Sequence, residues 1–325
     1  MSNTFTGSEK LNTKWFVLHN PSSGGWKGQR DWPRINKLLN DLNFSFVTEK
    51  TEYKAHALEL IKEALHQNFK KFIVIGGDGS LNEAVNAIIN FGHQKTEDCV
   101  IGYLPVGTGN DWAKTMNIPV NNYKQSLQII LNNKILRQDV GVVNCQKNGQ
   151  PLQRYFMNIA SIGFGGAVSK RLETMREKGV KTGKLAYLFS VLRGMFNYKA
   201  EKLKFNFNNQ VEDSKLYFGV VAICKFFGGG MQPAPHAHPA DNLFELTIVD
   251  KLNPYQVIKS LRNFYKGKIE QYQQVNFYKT NHLEVSNTLM PLLIETDGEF
   301  VGETPARFSL LANKINVIIN NDDFL

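Results

Sequence analysis

The first third of the chain alternates short apolar runs with helical patterns, and this alternation restricts the folds that the chain can adopt. Strands are predicted at residues 15–19, 44–48, 72–75 and 100–104, and helices at residues 32–42, 55–66 and 81–89. Strands that alternate with helices of this length predict a parallel sheet with helices on both faces. The sequence therefore predicts an N-terminal α/β domain of the doubly wound type.

Three loops rich in glycine and small polar residues follow strands of this sheet, at residues 20–25, 76–80 and 105–111. In parallel sheets, ligands bind at the carboxyl ends of the strands, where such loops meet. Taken singly, each loop is also explained as a surface turn, a strand-to-helix turn or an N-capped helix start. Together, three such loops on one sheet favour a nucleotide site.

The second of these loops has the most chemistry. Its glycines allow backbone N–H groups to approach an anion, and the N-terminus of the following helix adds positive potential. Ser80 and Glu83 are spaced as a capping box for that helix. The carboxylate of Asp78 fits beside phosphates only if a cation bridges them, so Mg²⁺ is implied. In the third loop, Thr108 offers a hydroxyl, and Asn110 and Asp111 offer a helix cap.

Beyond about Arg137 the pattern changes to strands broken by turn residues, which predicts a mostly antiparallel β domain of the sandwich type. The predicted strands are residues 139–145, 155–159, 203–207, 216–224, 244–249, 282–285, 292–295, 306–311 and 315–319. Helices are predicted at residues 184–196 and 254–265. The domains are then a nucleotide-binding α/β domain at 1–137 and a β-rich substrate domain at 138–311. Residues 312–325 are expected to pack back onto the first domain, and the active site is expected in the cleft between the two.

Charge and cysteine content limit the compartment and the partners. The net charge is +9, and the stretch from Lys170 to Lys204 has ten Lys or Arg against three Glu. Such a stretch suits an anionic lipid surface or a nucleic acid, although a solvated basic face is the other explanation. Cys99, Cys145 and Cys224 lie in separate apolar runs, as reduced core thiols do.

No apolar run approaches the roughly 20 residues that a membrane-spanning helix needs. The N-terminus lacks the apolar core of a secretory signal. A soluble cytoplasmic protein is therefore expected.

The order and spacing of the loop motifs resemble the diacylglycerol kinase catalytic-domain family, especially its bacterial soluble lipid kinases, which are related to sphingosine kinases. The resemblance rests on segments 20–24, 76–83 and 104–111, and on 158–160, 163–165, 227–231 and 296–299 further along. It implies an ATP- and Mg²⁺-dependent kinase that phosphorylates the hydroxyl of diacylglycerol or a similar lipid, in phospholipid synthesis. It also implies contacts to ATP from Asn20, Pro21, Ser22, Ser23, Gly24, Thr51, Gly76, Gly77, Asp78, Gly79, Ser80, Leu81, Asn82, Glu83, Gly107 and Thr108.

The resemblance assigns the chemistry to three carboxylates. Asp78 would act through Mg²⁺, and Asp297, supported by Glu299, would accept the proton of the lipid hydroxyl. Phosphoryl transfer needs a metal, phosphate donors and one carboxylate near the nucleophile, which agrees with this set. Because Asp-Gly is also a common hairpin signal, Asp297 alone is explained as a turn residue. In some relatives the proton acceptor is the aspartate of the glycine loop, which corresponds to Asp78 in this chain.

A second, structural Mg²⁺ is implied at Asp241, with the carbonyls of His238 and Leu243. Ala240 stands where relatives commonly have a second carboxylate, which weakens this site. The spacing of His236 and His238 is compatible with a transition metal, but surface histidines in a proline-rich loop are the commoner explanation.

Two rival functions remain open at the level of sequence. One is an NAD kinase, and the other is a non-catalytic lipid-binding regulatory protein on the same fold. The expected partners are a lipid substrate and the anionic inner face of the membrane, to which the protein would bind peripherally. No nucleic acid is expected, because nucleic-acid binding would explain the charge but not the loops. Homodimer formation is left open.

Overall fold

The computed structural model describes residues 14–91, 93–178, 194, 198–250, 256, 262–287 and 290–324. The chain forms two compact units. The first takes the chain up to Asp139 and again from Ala312, and the second is Val140–Leu311. Among the described residues, no helix is both long enough and apolar enough to cross a membrane.

The first unit is built on parallel strands. Its strands are β1 (Trp15–His19), β2 (Phe46–Lys50), β3 (Lys71–Gly76) and β4 (Val100–Pro105). They pair in parallel in the order β2-β1-β3-β4. Asn316 and Val317, near the C-terminus, add a further parallel pairing to β4. The helices are α1 (Ser23–Asp41), α2 (His56–His66), α3 (Asp78–Phe91), α4 (Asp111–Thr115) and α5 (Tyr123–Asn132).

The core of this unit follows the two-residue period of the strands. Val17 and Ile73 pack with Ile35 and Leu39 of α1 and with Leu127 of α5. The intervening strand residues are buried as well, since β1 is buried along its whole length and β3 from its second residue. Strands buried on both faces are typical of parallel sheets covered by helices, and the three glycine loops leave this sheet at the carboxyl ends of β1, β3 and β4.

The second unit is rich in antiparallel strands, as predicted. They are β5 (Ile135–Lys147, which begins in the first unit), β6 (Gln150–Phe156), β7 (Ile159–Gly163), β8 (Glu201–Phe207), β9 (Gln210–Ala222), β10 (Phe244–Asp250), β11 (Val275–Thr280), β12 (His282–Asn287), β13 (Leu293–Thr296) and β14 (Glu299–Ile318, which ends in the first unit). Pairing runs β9-β7-β13-β14-β12-β8 and returns to β9, so these strands form a closed circuit. Strands β10 and β11 extend outward from β9.

Several predicted elements differ from the structure. The strand predicted at 155–159 is interrupted at Met157 and Asn158, whose backbone N–H groups bond to Asp297 instead of to a neighbouring strand. The strands predicted at 306–311 and 315–319 are parts of one long strand, β14. Helix α6 (Phe164–Glu177) and strand β11 were not predicted.

The helices predicted at 184–196 and 254–265 fall largely outside the described residues. Of the first, only Gly194 is described, and the apolar residues of the basic stretch lie in the same undescribed part. Of the second, residues 262–265 are helical.

Candidate functional site

The three glycine loops of the first unit meet through their backbones. A Cβ atom on Gly24 would lie 2.2 Å from the carbonyl oxygen of Val106, and one on Gly107 would lie 2.5 Å from the Cα of Gly77. Real Cβ contacts are essentially never shorter than 3.0 Å, so glycine is required at both positions. Gly24 also has a left-handed φ of +65°. The structure thus places the three loops against one another.

A side-chain hydrogen bond links the first loop to the second. Asn20 donates from Nδ2 to Ser80 Oγ over 2.8 Å. Its Oδ1 accepts from the backbone N–H and the hydroxyl of Ser22, at 3.1 and 2.9 Å. Because α3 begins at Asp78, Ser80 lies inside the first turn and not at the N-cap. The predicted capping box of Ser80 and Glu83 is therefore wrong, and the Ser80 hydroxyl positions the first loop instead.

The Asp78 carboxylate links the second loop to the third. It accepts hydrogen bonds from the backbone N–H groups of Asp111 and Trp112, both over 3.3 Å. Asp78 therefore caps α4 from outside the helix. The side chains of Asn110 and Asp111 were expected to form this cap, which is wrong for Asn110: its amide donates to the Gly107 carbonyl over 2.8 Å and makes no cap bond.

A second carboxylate lies beside Asp78. A Cβ on Gly109 would lie 3.1 Å from Asp78 Oδ2 and 3.5 Å from Asp111 Oδ2, so both oxygens flank the same glycine. Burial raises the pKa of Tyr103 well above its ordinary value, and the negative charges of Asp78 and Asp111 raise it further. Asp111 also pairs with Lys114, at 2.6 Å. Sequence reasoning missed this juxtaposition, because Asp111 was interpreted only as a helix cap.

These two carboxylates fit a magnesium ion that is completed by phosphate. Mg²⁺ in nucleotide sites is commonly held by one or two carboxylates together with phosphate oxygens and water. Within the described parts of the chain, no three His, Cys, Asp or Glu side chains come together as a metal site. The donor set therefore suits a cation that arrives with a nucleotide.

The remaining predicted nucleotide residues differ in accessibility. Ser22 and Thr108 are exposed, and Pro21, Ser23, Gly77, Gly79 and Glu83 are half-buried. Thr51 follows β2, where its backbone N–H donates to the His19 carbonyl over 2.9 Å. Leu81 and Asn82 are almost fully buried within α3. Their place in the motif therefore reflects packing of the helix beneath the loops.

In the second unit, Asp297 and Gly298 form the tight turn between β13 and β14. Both residues have a left-handed backbone, with φ of 49° and 86°. The Asp297 carboxylate is largely buried and accepts three backbone N–H groups, from Asn158 (3.0 Å) and Ile159 (3.1 Å) at Oδ1 and from Met157 (3.0 Å) at Oδ2. The hairpin interpretation of Asp-Gly is thus confirmed, and the carboxylate anchors the β6–β7 connection.

Two glutamates flank this turn. Glu295 Oε2 accepts the N–H of Gly298 over 2.8 Å, and the side chain has no exposed surface. Burial raises the pKa of Glu295 to about 8, and the charge of Asp297 adds to that effect. Glu299 is partly exposed and lies 3.4 Å from the Arg154 guanidinium. Glu295 was not singled out from sequence, since nothing in the pattern distinguishes it from an ordinary strand residue.

The loop expected to hold a structural magnesium is closed by protein groups. Asp241 Oδ1 accepts the N–H of Leu243 over 3.1 Å, and Oδ2 lies 2.7 Å from the ammonium of Lys279. His238 Nδ1 accepts the N–H of Ala240 over 3.2 Å. The charge of the single carboxylate is already offset by Lys279, so this donor set does not fit a divalent cation.

Two family models cover most of the chain. The diacylglycerol kinase catalytic domain matches residues 14–143, and the YegS C-terminal NAD kinase beta sandwich-like domain matches residues 158–319. A diacylglycerol kinase of Staphylococcus aureus (strain bovine RF122 / ET3-1) is 28% identical over 306 residues, which cover 94% of this chain and 92% of that protein. A diacylglycerol kinase of Bacillus subtilis is 26% identical, over 93% and 95% of the two chains.

Solved structures show similar folds. A diacylglycerol kinase from Bacillus anthracis is similar with a TM-score of 0.69 at 18% identity, over 96% of this chain and 98% of that one. Yeast NADH kinase complexed with NADH is similar with a TM-score of 0.52 at 8% identity, over 95% and 84% of the chains. At these identities the likeness concerns the fold alone.

Proposed function

We propose that this chain, which belongs to the diacylglycerol kinase catalytic-domain family, transfers a phosphoryl group from ATP to the hydroxyl of diacylglycerol or a similar membrane lipid. Its relatives support the kinase class. The observation that supports the ATP-dependent reaction best is the meeting of the Gly24, Gly77 and Gly107 backbones at the carboxyl ends of parallel strands. No side chain fits between these loops, so an anion can approach their backbones closely.

The first unit would bind the nucleotide. The loops at residues 20–24, 76–80 and 107–108 would contact the phosphates, and the N-terminus of the 14-residue helix α3 would add positive potential. Asp78 and Asp111 are the groups that would hold Mg²⁺, which neutralises charge on the transferring phosphate. Asn20 and Ser80 would fix the first loop against the second.

The proton acceptor is Asp297 or Asp78. Both Asp297 oxygens already accept backbone N–H groups at 3.0–3.1 Å, so protonation of either one disturbs a hydrogen bond. The Asp78 bonds are longer, at 3.3 Å, and its carboxylate is half-buried. We keep Asp297 as the first candidate, since it is held rigidly, and Asp78 as the second. Glu299, paired with Arg154, would stabilise the turn.

The lipid acceptor would be reached from an anionic membrane surface. The ten Lys or Arg residues between Lys170 and Lys204 support this proposal through their charge. Co-sedimentation with anionic vesicles should weaken as salt rises, because the screening length falls to about 8 Å at physiological ionic strength. Vesicle binding that is independent of salt would contradict this part of the proposal.

Transfer of radiolabelled phosphate from ATP to 1,2-dioctanoylglycerol in mixed micelles tests the function directly. We expect transfer by the wild type and a loss of at least about 100-fold in Asp78→Asn, because the metal ligand is lost while the loop glycines remain. Asp41→Asn is the matched control, since Asp41 is an exposed carboxylate that pairs with Lys37 on the surface of α1. Wild-type turnover in Asp78→Asn would refute the role of Asp78.

The same assay separates the rival functions. Labelled phosphate that appears on NAD, and on no lipid, would favour an NAD kinase, whose fold is also similar. Binding of lipid without transfer to any acceptor would favour a regulatory protein. Phosphate on the lipid supports the proposed kinase.

A further inference from the structure

Helix α4 carries part of the candidate magnesium site but is too short to hold its own position. It has five residues, Asp111–Thr115, whereas isolated helices shorter than about 12 residues are marginal in water. Its first residue supplies the Asp111 carboxylate. Oδ1 of this group pairs with Lys114 at 2.6 Å, and Oδ2 flanks Gly109 together with Asp78 Oδ2. The position of the carboxylate therefore depends on contacts that α4 makes with the rest of the chain.

The N-terminal end of α4 and its indole side chain are held by two buried contacts. Asp78 accepts the backbone N–H groups of Asp111 and Trp112. The Trp112 indole N–H donates to Gln138 Oε1 over 2.9 Å, and both side chains are buried. Tyr103 packs edge-on against the Trp112 ring, with 5.7 Å between the ring centroids. These contacts fix how α4 is turned about its axis, and its C-terminal end is held separately.

The C-terminal end of α4 is completed by a segment that is distant in the sequence. The last carbonyl groups of a helix have no hydrogen-bond partner within that helix. The carbonyls of residues 112–114 accept N–H groups of residues 116–118, just beyond the helix. The next two carbonyls, of Thr115 and Met116, accept hydrogen bonds from the segment 319–322. This segment therefore caps α4 at the end opposite to Asp111.

Two asparagines of the segment make these bonds. Asn321 donates from Nδ2 to the Thr115 carbonyl over 3.2 Å, across 206 positions of the sequence. The backbone N–H of Asn320 donates to the Met116 carbonyl over 3.0 Å. Asn320 and Asn117 also exchange bonds between their side-chain amides and backbone carbonyls, at 3.2 and 3.4 Å. These four hydrogen bonds join the segment to α4 and to the two residues that follow it.

The segment 319–322 is itself fixed to the sheet and to the residues after α5. Just before it, Val317 pairs in parallel with Ile101 of β4. The Ile319 N–H donates to the Lys134 carbonyl over 3.0 Å, and the Lys134 ammonium pairs with Asp322 at 2.5 Å. The segment can therefore act as a firm support for the end of α4.

We propose that the segment 319–322 positions Asp111 for magnesium binding, with Asn321 as the main positioning residue. Both ends of the Asn321 amide are used, because Oδ1 accepts the N–H of Asp323 over 3.1 Å while Nδ2 reaches α4. The inference rests on the nucleotide site of the proposed function and adds to it a residue that contacts neither metal nor nucleotide.

The short length of α4 makes this support effective. At 1.5 Å per residue the helix is about 7.5 Å long, so a shift of its C-terminal end passes directly to Asp111. Mg²⁺ demands near-ideal octahedral geometry, with oxygens at about 2.0–2.1 Å. Loss of the bond to Thr115 should therefore weaken metal binding at Asp78 and Asp111, even though the loops that face the phosphates are unchanged.

A purely structural role for the segment leads to a different expectation. If Asn321 only stabilises the first unit, its replacement lowers the unfolding midpoint and leaves the metal-dependent part of nucleotide affinity unchanged. That part is the ratio of two dissociation constants from calorimetry, the Kd for ATP in EDTA divided by the Kd for MgATP. ATP in EDTA contains no bound metal and reports on the loops alone.

Asn321→Asp and Asn321→Ala test the assignment. The aspartate retains the acceptor for the Asp323 N–H but places an oxygen against the Thr115 carbonyl, and the alanine removes the donor without adding charge. We expect the Kd for MgATP to rise about three- to tenfold in both, as the loss of one hydrogen bond predicts, and the Kd for ATP in EDTA to stay within about twofold. Asn40→Asp is the matched control, since it removes a bond from Nδ2 to the Asn36 carbonyl, 2.8 Å long, on the exposed surface of α1.

The outcomes separate this inference from the proposed function. A wild-type ratio in both Asn321 variants, with or without a loss of stability, would overturn the inference and leave the segment as a structural tie. An equal rise of both dissociation constants would also overturn it, because the loops and not the metal would then be affected. Wild-type protein that binds neither form of ATP would refute the proposed function and this inference with it. The expected change of ratio without phosphate transfer to any lipid would refute the kinase and retain the positioning role.

Discussion

The Glu295 carboxyl makes the stability of the second unit depend on pH, and replacing it with glutamine should remove that dependence. Burial raises the pKa of Glu295 from 4.5 to about 8 in the folded protein, and the charge of Asp297 adds to it. At a pH between these two pKa values, the Glu295 carboxyl is deprotonated in the unfolded chain and still protonated in the folded protein. The free energy of unfolding therefore falls as pH rises from 4.5 to about 8 and is lowest above that range.

The size of the effect follows from the shift. One pKa unit corresponds to about 1.4 kcal/mol, so Glu295 destabilises the folded state at pH 9 by roughly 5 kcal/mol relative to pH 4. Glutamine has no proton to release and can still accept the Gly298 N–H through its carbonyl oxygen. Glu295→Gln should therefore be more stable than the wild type at pH 9 by several kcal/mol, and by about 1 kcal/mol or less at pH 5.

Urea denaturation between pH 5 and 9 measures this difference. All four tryptophans lie in the first unit, at positions 15, 26, 32 and 112, so unfolding of the second unit is followed by far-ultraviolet circular dichroism. Glu284→Gln serves as the control, because the Glu284 carboxylate is partly exposed and pairs with Arg307 between β12 and β14. If the free energies of unfolding of the wild type and Glu295→Gln differ by the same amount at every pH from 5 to 9, a raised pKa at Glu295 is refuted.

Three further outcomes are expected. Gly107→Ala should abolish MgATP binding in calorimetry, because its Cβ would lie 2.5 Å from the Gly77 backbone, whereas Gly219→Ala, with 3.4 Å to its nearest atom, should bind normally. Asp297→Asn should lower the free energy of unfolding by about 2–4 kcal/mol, because its NH2 group would face the N–H of Met157, which is also a donor. If Asp297 is also the base, kcat should fall ~10²–10⁴-fold while the KM for ATP stays unchanged. In a magnesium titration, the Tm of the wild-type second unit should stay constant, whereas the Tm of Lys279→Met should rise, because its Asp241 has lost the counterion. A wild-type Tm that rises with magnesium would show that the structural site is intact.

The parallel strands of the first unit could be predicted because their signal is local. A run of apolar residues that ends in a glycine loop is typical of a strand leading to a ligand-binding edge, and β1, β3 and β4 all have this form. The fine contacts between the loops could not be predicted in the same way. The bond between Asn20 and Ser80 joins residues 60 positions apart, so Ser80 was interpreted through its nearest partner, Glu83.

The elements missed in the second unit have local patterns that tertiary packing overrides. Helix α6 begins at Phe164 and contains Gly165 and Gly166, which lower helix propensity. Both glycines are needed because α6 lies directly against the sheet: a Cβ on Gly166 would be 2.2 Å from the Leu293 carbonyl oxygen. Likewise, β14 contains polar residues near position 313 that resemble a break, although pairing continues on either side.

The two units neutralise buried negative charge in different ways, and this bears on the choice of acceptor. In the first unit, Asp78 and Asp111 flank one glycine and suit a divalent cation that accompanies phosphate. In the second unit, burial raises the pKa values of Glu245 and Glu295 to about 7 and about 8, so near neutral pH protons neutralise about half of Glu245 and most of Glu295. A proton-neutralised carboxyl in an apolar environment favours an uncharged oxygen over an ion. This difference agrees with the proposal that phosphate passes from a metal-bound nucleotide to an uncharged lipid hydroxyl.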